Sequence, residues 1–265
     1  MLRIAIYLVI VLVAIATFAA AQYSTAQSDL WLNLFAEALG VAFTVLIVEK
    51  LIGFDDLRRT KPARYAAFMD TLLIFNRFCS LWYDIVRTTF DPERHGNILA
   101  NKDIKLLDHR FGEIVAILKL ESDAPVSPKR TWKVHLKQQV EDLERLIDRC
   151  LQRYAAFMEP EMIKALQELE RSSFFAYGKL MQTIALAHEE LGVRPNPYFG
   201  WGGPATVRDL LVPLNNLGCL LTEIRQKFAG MPDVPSTIDV DRVSQIESLR
   251  KMVADASVDD DANSG

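Results

Sequence analysis

The chain has 265 residues, half of them apolar and 24% charged, with 30 basic against 34 acidic side chains and a formal net charge of −4. Twelve glycines, eleven prolines and three cysteines exclude a collagen-like, disulfide-dense or wholly disordered chain. The near-neutral charge argues against a nucleic-acid binder, whose affinity would rest on a large positive field.

The average conceals two chemistries. About 72% of the first 54 residues are apolar, against about 44% of the remainder, which is an ordinary globular value. No charged residue occurs between Ile4 and Ser28. Residues 4–21, rising about 1.5 Å each, cover most of a hydrocarbon core roughly 30 Å thick. A second apolar segment covers about 30–52, interrupted by Glu37 and, near its end, Glu49 and Lys50. The pattern predicts a transmembrane hairpin. Arg3 precedes it, the connector Gln22 to Asp29 has no Lys or Arg, and Lys50, Arg58, Arg59, Lys61 and Arg64 follow it. Basic flanks stay inside, so both ends read as cytoplasmic and the protein as a multi-pass inner-membrane one. A cleaved signal peptide over residues 1–21 is the rival, because Met1-Leu2-Arg3 and Ala19-Ala20-Ala21 resemble its ends.

Glu37 and the Ala36, Gly40 and Thr44 ridge share one face of the second segment. Small residues let membrane helices approach closely, and an ionised carboxylate there costs a few kcal/mol unless paired, protonated or wetted. The functional reading is an ion site or an oligomer contact. The bland one is a protonated Glu37 bonded to the partner helix, with Thr17 as acceptor or donor. Arg58, Arg59, Lys61 and Arg64 could face anionic headgroups, although topology alone accounts for them.

From residue 55 to 230 the apolar period is three to four, which predicts a cytoplasmic, coiled-coil-like helical bundle and no strand. Pro62 is expected in the first turn of a helix to about Phe90, with Tyr65, Met69, Leu72, Phe75, Cys79, Trp82 and Val86 on one stripe and Ile74, Phe78, Leu81 and Ile85 beside it. So wide an apolar face suggests a central helix. Asp91 to Asn97 reads as a loop, and a short helix then carries Ile104, Leu107, Phe111, Ile114 and Leu118. Ser127-Pro128 opens the next helix, with Leu136, Val140, Leu143 and Ile147 inward and Glu141 paired to Arg145. Pro160 breaks it, as a hairpin or a bend, before a helix with Met162, Leu166, Leu169, Tyr177, Leu180, Ile184 and Leu191.

The stretch Val193 to Pro204 carries three prolines and three glycines, and its Tyr198, Phe199 and Trp201 could dock a partner or plug the bundle end. It lacks the Lys-Ser/Thr and the preceding strand of a phosphate-binding loop. Val207, Leu210, Leu214, Leu217, Leu221, Ile224 and Phe228 form the cleanest repeat, with Thr206 and Asp209 as its N-terminal cap. Residues 231–256 read as linker and C-terminal helix, the helix running from Ile238 to Ala256, and 257–265 as a disordered acidic tail.

The three cysteines, Cys79, Cys150 and Cys219, read as reduced core thiols. His95, His109, His135 and His188 form no metal-binding spacing, and no nucleophile or paired-carboxylate motif is present. No cofactor, metal or catalytic residue is therefore assigned, and an enzyme using the 198–203 loop ranks last.

The run Asn33 to Ile52, with Glu37, Gly40 and Thr44 and the ending Glu49-Lys50-Leu51-Ile52, resembles small bacterial two-span inner-membrane proteins with a helical cytosolic domain and no known activity. Glu49 departs from the Asp expected there. The resemblance covers about the first 90 residues and implies an inner-membrane location but no chemistry. The expectation is a membrane-anchored scaffold or regulatory protein, self-associating and meeting an unidentified protein partner. The alternative is a small oligomeric transport or conducting protein that uses Glu37.

Overall fold

A computed structural model describes residues 13, 15–19, 28–190, 197–201 and 203–263. Among these the fold is all-α. No strand forms, and the β-type pairing is confined to two isolated bridges, Lys119 with Tyr198 and Asp123 with Thr131. The chain divides into two compact units, Met1–Pro62 and Ala63–Gly265.

Residues 13 and 15–19 are helical, and α1 (Ser28–Thr89) runs through the boundary between the units. Within the first unit the rings of Phe18 and Phe35 meet at 5.3 Å. Among the described residues no helix is long and apolar enough to cross a membrane, so the expected spans are not found there. Most of the first of them, and the suggested cleavage site at Ala19 to Gln22 apart from Ala19, lies outside the described residues. Pro62 is not in a first turn, as the sequence suggested, but deep inside α1. A proline there removes one N–H and crowds the carbonyl four residues back, and the unit boundary falls at that weak point.

In the second unit the C-terminal half of α1 is the central helix. Leu72, Phe75, Cys79, Trp82 and Val86 are buried, and so are Ile74, Phe78, Leu81 and Ile85. The supposed loop after it is α2 (Pro92–Leu99), because Asp91 accepts the Glu93 N–H at 3.1 Å as N-cap and Pro92 takes the first turn. At its far end the Arg250 guanidinium holds the carbonyls of Leu99, Asn101 and Lys102 at 3.1 to 3.4 Å. Only α3 (Gly112–Ala116), preceded by a 3₁₀ turn at His109–Phe111, is helical in the following segment. Ile104, Leu107, Phe111, Ile114 and Leu118 are nevertheless all buried.

Helix α4 (Trp132–Tyr154) starts after a bridged loop rather than at Ser127-Pro128, and buries Leu136, Val140, Leu143, Ile147 and Cys150. Its surface ion pairs differ from the expected one. Arg145 binds the Asp142 carboxylate and Glu141 pairs with Lys137 at 3.7 Å. After Pro160 the chain makes two helices, α5 (Pro160–Glu170) and α6 (Ser173–Glu190), so the continuous helix expected to Leu191 is broken at Arg171 and Ser172. Both α5 and α6 pack against α4 and α7 (Pro204–Arg225). Leu180, assigned to the inner stripe, is exposed. Every residue of the repeat from Val207 to Phe228 is buried.

The last helix, α8 (Val243–Asn263), begins later than the apolar pattern suggested and continues through Asp259 to Asp261, where composition predicted disorder. Extending a formed helix costs little per residue compared with nucleating one.

Candidate functional site

Ala36, Glu37, Gly40 and Thr44 are all exposed on α1. The Thr44 hydroxyl donates to the Gly40 carbonyl at 2.8 Å, and a Cβ on Gly40 would meet nothing within 4 Å. The ridge is therefore open, with no described helix against it. The Thr17 hydroxyl, suggested as a partner for Glu37, donates to the Val13 carbonyl at 3.0 Å. Among the described residues around the ridge, apolar side chains face outward on opposite sides of the helix. Leu39, Val41 and Phe43 are 49%, 57% and 66% exposed, and steps of two residues send them to opposite sides of the helix.

Of the basic run, Arg59, Lys61 and Arg64 are exposed, and the Arg58 side chain lies outside the described residues. Arg64 lies near Glu159, whose carboxyl is held below its ordinary range first by the hydrogen bond from Lys227 at 2.8 Å and then by the charges of Lys227 and Arg64. Close by, the Tyr65 hydroxyl donates to the Pro232 carbonyl.

The aromatic loop is corrected by burial. Phe199 and Trp201 are 0% and 3% exposed, so of the three rings only Tyr198, 42% exposed, lies at the surface. Backbone bonds from Phe199 to Leu118 and from Gly200 to Ala116, at 2.8 and 2.9 Å, pin the loop to the end of α3. Gly200 has φ +68, a conformation that favours glycine and lets both flanking rings turn inward. Phe174 packs against both, 5.1 Å from Trp201 and 6.2 Å from Phe199, which themselves lie 6.0 Å apart, and the Trp201 indole donates to the Ser173 hydroxyl at 3.0 Å. Gly202 lies outside the described residues. Asp209, read from sequence as a cap of its own helix, instead accepts both the Ser173 N–H and hydroxyl at 3.0 Å and caps α6 from across the bundle.

Sequence reasoning missed the outer groove between α5 and α7. One part, about 340 Å³, is lined by Glu161, Lys164, Glu168, Glu223 and Cys219. Cys219 is thus exposed rather than a core thiol, whereas Cys79 and Cys150 are buried. Burial pushes the Cys79 thiol up to about 11, against the nearby charge and hydrogen bond of Arg242, and burial also raises Cys150. Such thiols are inert packing groups. The described histidines are separate. His95 accepts the Asp91 N–H at 3.0 Å, His109 stands 3.4 Å from Asp108, and His135 is buried. No group of metal-ligating side chains forms among the described residues. No protein-family model, curated protein or solved structure matches the chain.

Proposed function

We propose that the chain is a membrane-anchored helical scaffold or regulatory protein that binds through its helical domain and self-associates through the Ala36, Gly40 and Thr44 face. The observation that carries the reading is the outward-facing apolar surface of the first unit. Leaving Leu34, Leu39, Val41, Phe43, Ile47 and Val48 exposed in water would forgo on the order of 10 kcal/mol of burial. That is as large as the whole stability of a typical domain. The second unit needs no such help, since α1, α4 and α7 close their own core. A helix with exposed apolar side chains on opposite sides belongs inside protein or lipid.

Further support is the uncharged run between Ile4 and Ser28 and the basic flank from Arg58 to Arg64. Together they favour a hairpin in a bacterial inner membrane with the helical domain in the cytoplasm. The test is alkaline extraction of membranes carrying the tagged full chain, combined with chemical cross-linking. Wild-type chain should stay with the membrane pellet and cross-link as an oligomer, and Gly40→Leu should keep the first property and lose most of the second. Release of the wild-type chain into the supernatant would sink the anchor, and an unchanged oligomer in Gly40→Leu would sink the packing face.

A further inference from the structure

A second cleft, about 440 Å³, opens on the same groove where α5 ends and α7 begins. Arg171 and Arg208 both line it, and neither guanidinium has a hydrogen-bond or ion-pair partner among the described residues. The two acids lining the cleft are already engaged, while Glu170, next to Arg171, feels its charge without forming an ion pair. Asp209 holds Ser173 by two bonds, and Glu168 lies 3.8 Å from Lys164. Ser172, also lining the cleft, is only 3% exposed, and its hydroxyl has no partner. An unsatisfied buried hydroxyl costs about 1–3 kcal/mol and calls for an explanation. The apolar wall is Val212, 53% exposed, with the buried Pro213 behind it.

We infer that this cleft binds a small organic oxyanion, a carboxylate or phosphate monoester, with its charged head between Arg171 and Arg208 and its apolar body on Val212. Guanidinium groups match planar and tetrahedral oxyanions with paired N–H bonds. A volume of this size is ordinary for a small-molecule site. The inference is independent of the membrane reading, because every residue lies in the second unit.

Isothermal titration of the full chain in detergent with phenyl phosphate and with benzoate tests it, the two probes separating phosphate from carboxylate. Saturable binding of at least one is expected. Arg171→Gln and Arg208→Gln should each weaken it roughly tenfold, with the lysine substitutions intermediate because they keep charge but lose the fork. Both arginines are exposed, so unfolding should not intervene, and equal melting midpoints check this. Glu223→Gln, in the neighbouring part of the groove, should leave the affinity unchanged. Absence of saturable binding by both probes, or binding that survives the double Arg171→Gln, Arg208→Gln change, would overturn the assignment.

Discussion

His135 lies in the first turn of α4, 6% exposed, its ring edge-on to Trp132 at 5.5 Å. Burial, and after it the charge of Arg130, holds its pKa below the ordinary histidine value of 6.5. The unfolded chain therefore takes up a proton more readily than the folded one. Stability from the neutral ring is complete above the unfolded value and is lost as pH falls through it toward the depressed folded value. Thermal denaturation at a series of pH values should show the wild-type midpoint dropping more steeply than that of His135→Gln between about pH 7 and about pH 5. Parallel curves would remove His135 as the cause.

Burial of a single side chain is also where the sequence was hardest to read. Tyr198, Phe199 and Trp201 are equally aromatic and close in a loop, yet one faces out and two face in. The choice is made by Leu118, Ala116 and Phe174, which approach from other parts of the chain. The arginine pair of the cleft was invisible for the same reason, since Arg171 and Arg208 are brought together only when α5 and α7 pack.

Elements were more legible where the signal is local. Apart from the half-buried Tyr65 and Met69, the wide stripe on α1 and the repeat on α7 are buried as their spacing implies, because a period near 3.6 places those residues on one face whatever the topology. The misread loop at Asp91 was also local, since Asp followed by Pro is the cap and first turn of a helix. The break at Arg171 and Ser172 was not. It contains no Pro or Gly, and the carboxylate that caps the following helix comes from Asp209, 36 residues on. Pro62 is the opposite case, a strong local stop that the helix overrides. An interior proline disfavours a helix by about 3 kcal/mol relative to alanine, and Pro62 is exposed, so little packing is lost with its ring. Pro62→Ala should therefore raise the melting midpoint and slow amide hydrogen exchange in the turn after residue 62. Unchanged exchange there would mean that the proline imposes no local weakness.

At the scale of the whole molecule, the compositional break near residue 54 and the structural boundary at Pro62 separate two ways of treating apolar surface. Ala63–Gly265 encloses its own. Phe68, Phe75, Phe78, Trp132 and Phe174 are at most 2% exposed, and α4, α5, α6 and α7 pack against one another. Among the described residues of Met1–Pro62, Leu34, Leu39, Val41, Phe43, Ile47 and Val48 face outward. A chain of about two hundred residues is large enough to bury most of the surface its unfolded form exposes, so the second unit should fold without the first. Residues 63–265 produced alone should stay dispersed without detergent, with a strong helical circular-dichroism signal and one cooperative melting transition. The full chain should need detergent or lipid to do the same. If the fragment instead aggregates or melts without cooperativity while the full chain is well folded, the first unit contributes to the bundle's core. If the full chain stays dispersed in plain buffer, its exposed apolar helix is covered by protein, and the membrane reading fails with it.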